Sequence, residues 1–285
     1  MINFTKRNLK VFFRDKTGVF FSILGVLIVI ALFAFFLGDT FAESFDKNVK
    51  DPVHLINGWI VAGILAITSV TTAMGAFGTM VDDKAKNIIK DFYSSPVKRK
   101  TLVMGYIVSA FVIAMIMTLL AFVLSEIYIV AKGGALLKPV PMLKALGVVT
   151  LTALANTSFV LFIVSFINTS TAYSTVSTII GTMIGFVTGI YVPVGNFADS
   201  IQAFIKVFPT SHGAMLLRQI FMEKPIAHSF KGVPKESLNE VKEVLGVTFK
   251  LGGHTVTPAV SIAILIGSIV LFSVLSFFSL SRKKK

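Results

Sequence analysis

The residues able to do acid–base, metal or nucleotide chemistry are few and scattered. His54, His212, His228 and His254 lie far apart, with no helical HExxH pair and no carboxylate cluster at metal-ligand spacing. No GxxxxGK[ST] phosphate loop occurs, so no nucleotide site is recognisable in the chain itself. The absence of cysteine excludes disulfides and thiolate metal sites. Two polar groups remain that sit inside apolar runs. Glu126, near the far end of the run 102–130, reads either as a pathway acid or as the partner of Lys132 in an interfacial ion pair. Asn156 is costly in lipid and is expected to face another helix or a pathway. No span pairs acids with bases near its midpoint, as ion-coupled carriers often do. No catalytic residue, metal site or bound cofactor is therefore expected in this chain.

The elements that must position these groups are membrane helices. The 285 residues are 54% hydrophobic and only 14% charged, with a mean hydropathy of +0.83. Soluble domains are about 45–50% apolar even with glycine counted. The net charge of +13 does not point to nucleic acid, because the basic residues flank apolar runs instead of covering a soluble surface. Six runs are expected to span, at about 18–37, 57–80, 102–130, 143–167, 173–192 and 257–280. Residues 1–16 carry five basic residues beside Ile2, Leu9, Phe12 and Phe13, and so predict an interfacial helix. A signal peptide is the competing reading, but the run 18–37 is longer than a typical h-region of roughly 7–15 residues. Trp59, the only tryptophan, is expected to anchor the start of the second span at the interface. Hydroxyls are dense from Asn156 to Thr188, where they can bond their own helix's carbonyls.

One polar interval, VDDKAKNIIKDFYSSPVKRK at 81–100, stands between two spans. Ala85, Ile88, Ile89 and Phe92 fall at i, i+3, i+4 and i+7 and predict one face of a short helix. Asp82 and Asp83 suit its start, and Ser94-Ser95-Pro96 its end. The interval is read either as a docking helix or as a solvated basic loop. With six spans and both ends inside, the inner segments hold fifteen of the 27 Lys and Arg but four of the fourteen acids. From 193 the pattern changes: Ile201, Phe204, Ile205 and Phe208 share a helical face, and Pro209 breaks it. Asn196 or Asp199 is expected to cap the first segment and Thr210 or Ser211 the second. Each segment is shorter than a span, which predicts an outer re-entrant hairpin at about 193–222, with His212 and Arg218 at head-group level. A polar outer loop at about 223–256 follows.

The run DDKAKNIIKDFYSSPVKRKTLVMGYIVSAF resembles the cytosolic loop of type-2 ATP-binding-cassette permeases, and 189–222 resembles that family's outer-face hairpin. The resemblance implies an all-α integral membrane protein, one permease domain over 1–285, with six transmembrane helices and an N-terminal interfacial helix. It implies a cytosolic coupling helix presenting Ala85, Ile88, Ile89 and Phe92 to an ATPase. Asp82-Asp83 departs from the acid–base pair many relatives carry there. Two ATPase subunits holding ATP and magnesium, and a homodimer or a heterodimer with a sister permease, are the implied partners, beside the lipid bilayer and without nucleic acid. The implied function is export of an amphiphilic substrate (a drug, peptide antibiotic, lipid or glycolipid) across the plasma membrane, with both termini cytosolic. Phe204, Phe208 and Pro209 are the expected outer gate, and Glu126 and Asn156 the expected pathway groups. The readings set against it are an ion-gradient-driven carrier and a non-transporting permease-like sensor or scaffold.

Overall fold

Apolar runs long enough to leave water satisfy their backbone groups internally, and here they do so as helices. The computed structural model describes residues 1–43, 45, 49–94 and 97–282. Helix α1 (Ile2–Arg14) ends at Asp15, whose carboxylate accepts from Gly18 N–H and so caps α2 (Lys16–Leu32). A π-helical segment at Phe33–Leu37 leads into α3 (Gly38–Glu43), so the helix continues beyond the expected end of the first span at residue 37. Helix α4 (Pro52–Ala85) begins with proline at its first position, where the missing N–H costs nothing.

The chain then turns through Asn87, whose φ of 59° is left-handed, into α5 (Ile88–Ser94). This corrects the expected single helix. Asp82 and Asp83 close α4 and do not open the short helix, and Ala85 belongs to α4 while Ile88, Ile89 and Phe92 belong to α5. The part of the expected break at Ser95 and Pro96 lies outside the described residues. Helices α6 (Arg99–Ala131), α7 (Pro139–Ser165) and α8 (Ser170–Val187) follow, the last capped by Thr169 Oγ1 accepting from Ala172 N–H.

After a 3-10 turn at Val194–Asn196 come α9 (Asp199–Val207) and α10 (Pro209–Phe221), split at the expected proline. Their caps differ from expectation. Ala198 precedes α9 and Phe208 precedes α10, neither with a side-chain cap, because Thr210 and Ser211 turn their hydroxyls to other helices. Helices α11 (Glu223–Ser229) and α12 (Lys235–Val244) and a two-stranded antiparallel hairpin fill the stretch 223–256 that the sequence reads as an outer loop. In that hairpin β1 (Lys250–Leu251) pairs with β2 (His254–Thr255), Lys250 opposite Thr255. Helix α13 (Pro258–Arg282) closes the described chain.

Among the described residues, five helices are long and apolar enough to cross a membrane: Lys16–Phe36, Pro52–Ala85, Lys100–Ala131, Pro139–Ser165 and Pro258–Ser279. Helix α8 is set apart from them because seven of its 18 residues are serine or threonine. Ser174, Thr175, Thr178 and Thr182 each donate to the carbonyl four residues back, which removes much of the cost of placing them in an apolar setting. Helix α4 is the core of the bundle. Its residues from Leu55 to Ala66 are all buried, and it packs against α6, α7, α8 and α10. Helix α2 is the opposite, exposing Phe20, Phe21, Leu27, Ile28 and Leu32.

Candidate functional site

At one end of the bundle, three helices meet on a single carboxylate. Asp83, in the last turn of α4, is 2% exposed. The Arg7 guanidinium of α1 grips it with both arms, Nη1 to Oδ2 at 2.5 Å and Nη2 to Oδ1 at 2.8 Å. Tyr106 of α6 donates its hydroxyl to Oδ2 at 2.6 Å. A two-pronged arginine–carboxylate pair fixes orientation as well as distance. Asp83 in turn raises the Arg7 guanidinium above its ordinary value, so the arginine stays charged.

Rings complete the corner. Arg7 lies over Phe92 of α5 at 5.6 Å and over Phe4 at 5.9 Å, and Phe4 meets Phe92 and Tyr106 edge-on at 5.1 and 4.9 Å. Gly105 makes room for this, since a Cβ there would stand 2.6 Å from the Phe4 ring. Asn8 Nδ2 donates to Ser109 Oγ at 3.2 Å, a second tie between α1 and α6. Next to Asp83, Asp82 accepts from Ser170 Oγ of α8 at 2.9 Å. The short helix α5 is thus held on α1, whose arginine is bound to the end of α4.

Each residue singled out from the sequence has a definite place. Phe92 turns to Phe4 and Arg7, Ile88 and Ile89 are half-buried, and Ala85 is exposed at the end of α4. Phe204 is exposed, Phe208 is half-buried and packs on Phe159 at 5.2 Å, and Pro209 is buried in the first turn of α10. Asn156 is wholly buried, donating to Ser69 Oγ of α4 at 2.6 Å and accepting from Thr210 Oγ1 of α10 at 2.7 Å. It therefore faces helices on both sides. Glu126 is buried and accepts from Leu137 N–H at 3.1 Å, while Lys132 donates to the Ala34 carbonyl at 2.8 Å. The Glu126–Lys132 ion pair does not form, because each finds a backbone partner.

Three readings are corrected at the far end of the bundle. Trp59 is fully buried, with Nε1 donating to the Leu245 carbonyl at 2.9 Å, and is no interfacial anchor. His212 and Arg218 are likewise fully buried instead of exposed. His212 bridges the hairpin, Nε2 to the Lys206 carbonyl at 2.9 Å and Nδ1 to Ser261 Oγ of α13 at 3.0 Å. Sequence reasoning also missed Arg7, Tyr106 and Ser69. The amphipathic pattern of residues 1–16 was a signal for α1, but nothing local joins Arg7 to a carboxylate 76 positions away.

The helical, membrane-compatible architecture and the sequence profile agree. The profile of the ABC-2 family transporter protein matches residues 44–278. The chain belongs to the ABC-2 transporter family. Among curated proteins none matches it. As an ABC-2 permease it is a multi-pass membrane component of an ABC transporter, a transport element and not itself the catalytic one. ABC-2 permeases generally work with an ATPase subunit. The corner of Asp83, Arg7, Tyr106 and Phe92 joins α1, α4, α5 and α6 of this permease.

Proposed function

We propose that this permease drives export of an amphiphilic substrate across the plasma membrane, with α5 docked on a separate ATPase subunit that holds ATP and magnesium. The observation that carries the reading is the corner itself. A seven-residue helix held on α1 beside the end of α4, with Lys86, Lys90 and Asp91 exposed around it, is placed to pass a push from outside the membrane into the bundle. In this reading residues 1–285 form one domain with both termini cytosolic. Helix α8 is the sixth crossing, and α9–α10 is a re-entrant hairpin whose Phe204, Phe208 and Pro209 close the outer end. The exposed hydroxyl stripe of Thr171, Ser174, Thr175, Thr178 and Thr182 on α8 favours contact with a second permease, identical or a sister chain, and two ATPase subunits complete the complex. The substrate class is that of drugs, peptide antibiotics, lipids and glycolipids. Glu126, with one carboxylate oxygen lacking a partner among the described residues, is the pathway group this reading retains.

The test is loss of coupling with insertion intact. Ile88→Asp and Ile89→Asp should each abolish ATPase co-purification and ATP-dependent transport in vesicles while the permease still inserts, since an unpaired charge in an apolar contact costs several kcal/mol, roughly a hot-spot's whole contribution. Normal pull-down and transport by both variants would remove α5 from this role. Transport that stops without ATP yet survives a collapsed ion gradient separates this function from a gradient-driven carrier.

A further inference from the structure

Among the described residues, Arg218 is the only lysine or arginine that is fully buried, and no carboxylate forms a salt bridge with it. A buried charge left without an acid is costly unless other groups replace its water. Here two elements take up part of that task. Nη2 donates to the carbonyls of Thr188 at 2.7 Å and Gly189 at 3.1 Å, at the C-terminal end of α8, where the helix dipole is negative. The guanidinium plane lies 5.3 Å from the Trp59 ring of α4. Nε and Nη1 have no hydrogen-bond partner among the described residues, and Nη1 lies against the backbone at Gly246, where a Cβ would stand 2.8 Å from it. Gly189 and Gly246 both carry positive φ, 68° and 66°, so neither tolerates a side chain without strain. Trp59 Nε1 closes the ring by holding the Leu245 carbonyl.

We propose that Arg218 is a positioning residue, a clamp that ties the hairpin α9–α10 to the end of α8, to α4 and to the outer loop, so that the hairpin follows α8 when the transporter changes state. The role rests on the reading of α9–α10 as the outer closure; the clamp itself does not. Lifting α10 off α8 removes two carbonyls and a ring from a guanidinium that water does not reach, so separation and hydration must occur together. Lysine replaces arginine only in part, because an ammonium can donate to the two carbonyls that Nη2 alone holds but lacks the flat guanidinium face that lies over the indole. The neighbouring bond from Ser211 Oγ to the Val187 carbonyl, 2.9 Å, sets α10 against the same helix end but carries no charge.

Trp59 is the chain's only tryptophan and so reports on the clamp directly. In the full-length permease, Arg218→Gln should raise acrylamide quenching of Trp59 about threefold and shift its emission to the red, as expected for local opening around a buried ring. Helix content should not change. Arg218→Lys should fall between the two, and it decides the matter if the glutamine variant does not fold. In the assembled transporter a single cysteine at the exposed Ser200 of α9 should change its labelling rate on ATP addition in the wild type. In Arg218→Gln that change should vanish while ATP hydrolysis continues, which a merely structural defect would not produce. Wild-type quenching in both variants would overturn the clamp. A clamp confirmed by quenching, with no ATP-dependent change at Ser200 in the wild type, would instead overturn the gate reading of the hairpin and, with it, the hairpin's following of α8.

Discussion

Arg7 and Arg218 stand at opposite ends of the same bundle, both beside aromatic rings, and are neutralised in different ways. Arg7 is partly open to solvent, has a carboxylate in both hands, and shares that carboxylate with the Tyr106 hydroxyl. Arg218 sees no solvent and no acid, only helix-end carbonyls and indole. The first arrangement joins three long elements through a charge pair that tolerates movement, because water can re-solvate the arginine as the pair opens. The second forbids gradual opening. One end of the molecule is therefore built to flex under load and the other to hold or release.

The largest expected effect lies at Asp83. Asp83→Ala leaves Arg7 and Tyr106 without their acceptor, and should cost about 3 kcal/mol, toward the low end of losses from breaking buried pairs because Arg7 is partly exposed. Unfolding of the purified permease by denaturant checks it, and a double-mutant cycle with Arg7→Met should return a coupling of about 2 kcal/mol. Coupling near zero would mean the pair contributes no more than a surface contact, and the contrast with Arg218 would lose its basis. A smaller effect is expected at Trp59→Phe, which keeps an aromatic face under Arg218 but loses the hydrogen bond to Leu245, worth about 1 kcal/mol. A loss several times larger would assign the indole more than support of the loop. Smallest of all, Lys90→Ala should leave stability unchanged and ATPase pull-down nearly so, since an exposed rim charge contributes little. Detachment by that variant alone would move the weight of docking from apolar contact to charge.

How far this was legible from the sequence depended on the range of each determinant. Spanning helices are set by local apolar length, and the break before α10 by a proline, so both could be read directly. The left-handed turn at Asn87 was hidden, because Ala85, Ile88, Ile89 and Phe92 keep helical spacing straight through it. The spacing survives while the axis does not. Caps failed for a related reason: Thr210 and Ser211 are capping types, yet Asn156 and the Val187 carbonyl claim their hydroxyls from other helices. Trp59, His212 and Arg218 were assigned to the interface by residue type, whereas their burial follows from partners 30 to 186 positions away. Polar residues inside a membrane bundle are placed by tertiary contacts that no window of the sequence contains.

Helix α4 runs without a kink-forming proline beyond its first turn, from Pro52 at the outer loop to Ala85 beside the short helix. At 1.5 Å per residue, 34 residues make a rod about 50 Å long. Such a rod acts as a lever whose two ends are Trp59 and Asp83. The 24 positions from Trp59 to Asp83 span about 36 Å, so tilting the rod by about ten degrees about one of them sweeps the other through roughly 6 Å, about twice the length of a hydrogen bond. A displacement too small to detach Arg7 from Asp83 at one end therefore becomes, at the other, a demand larger than the contact between Arg218 and Trp59 can absorb.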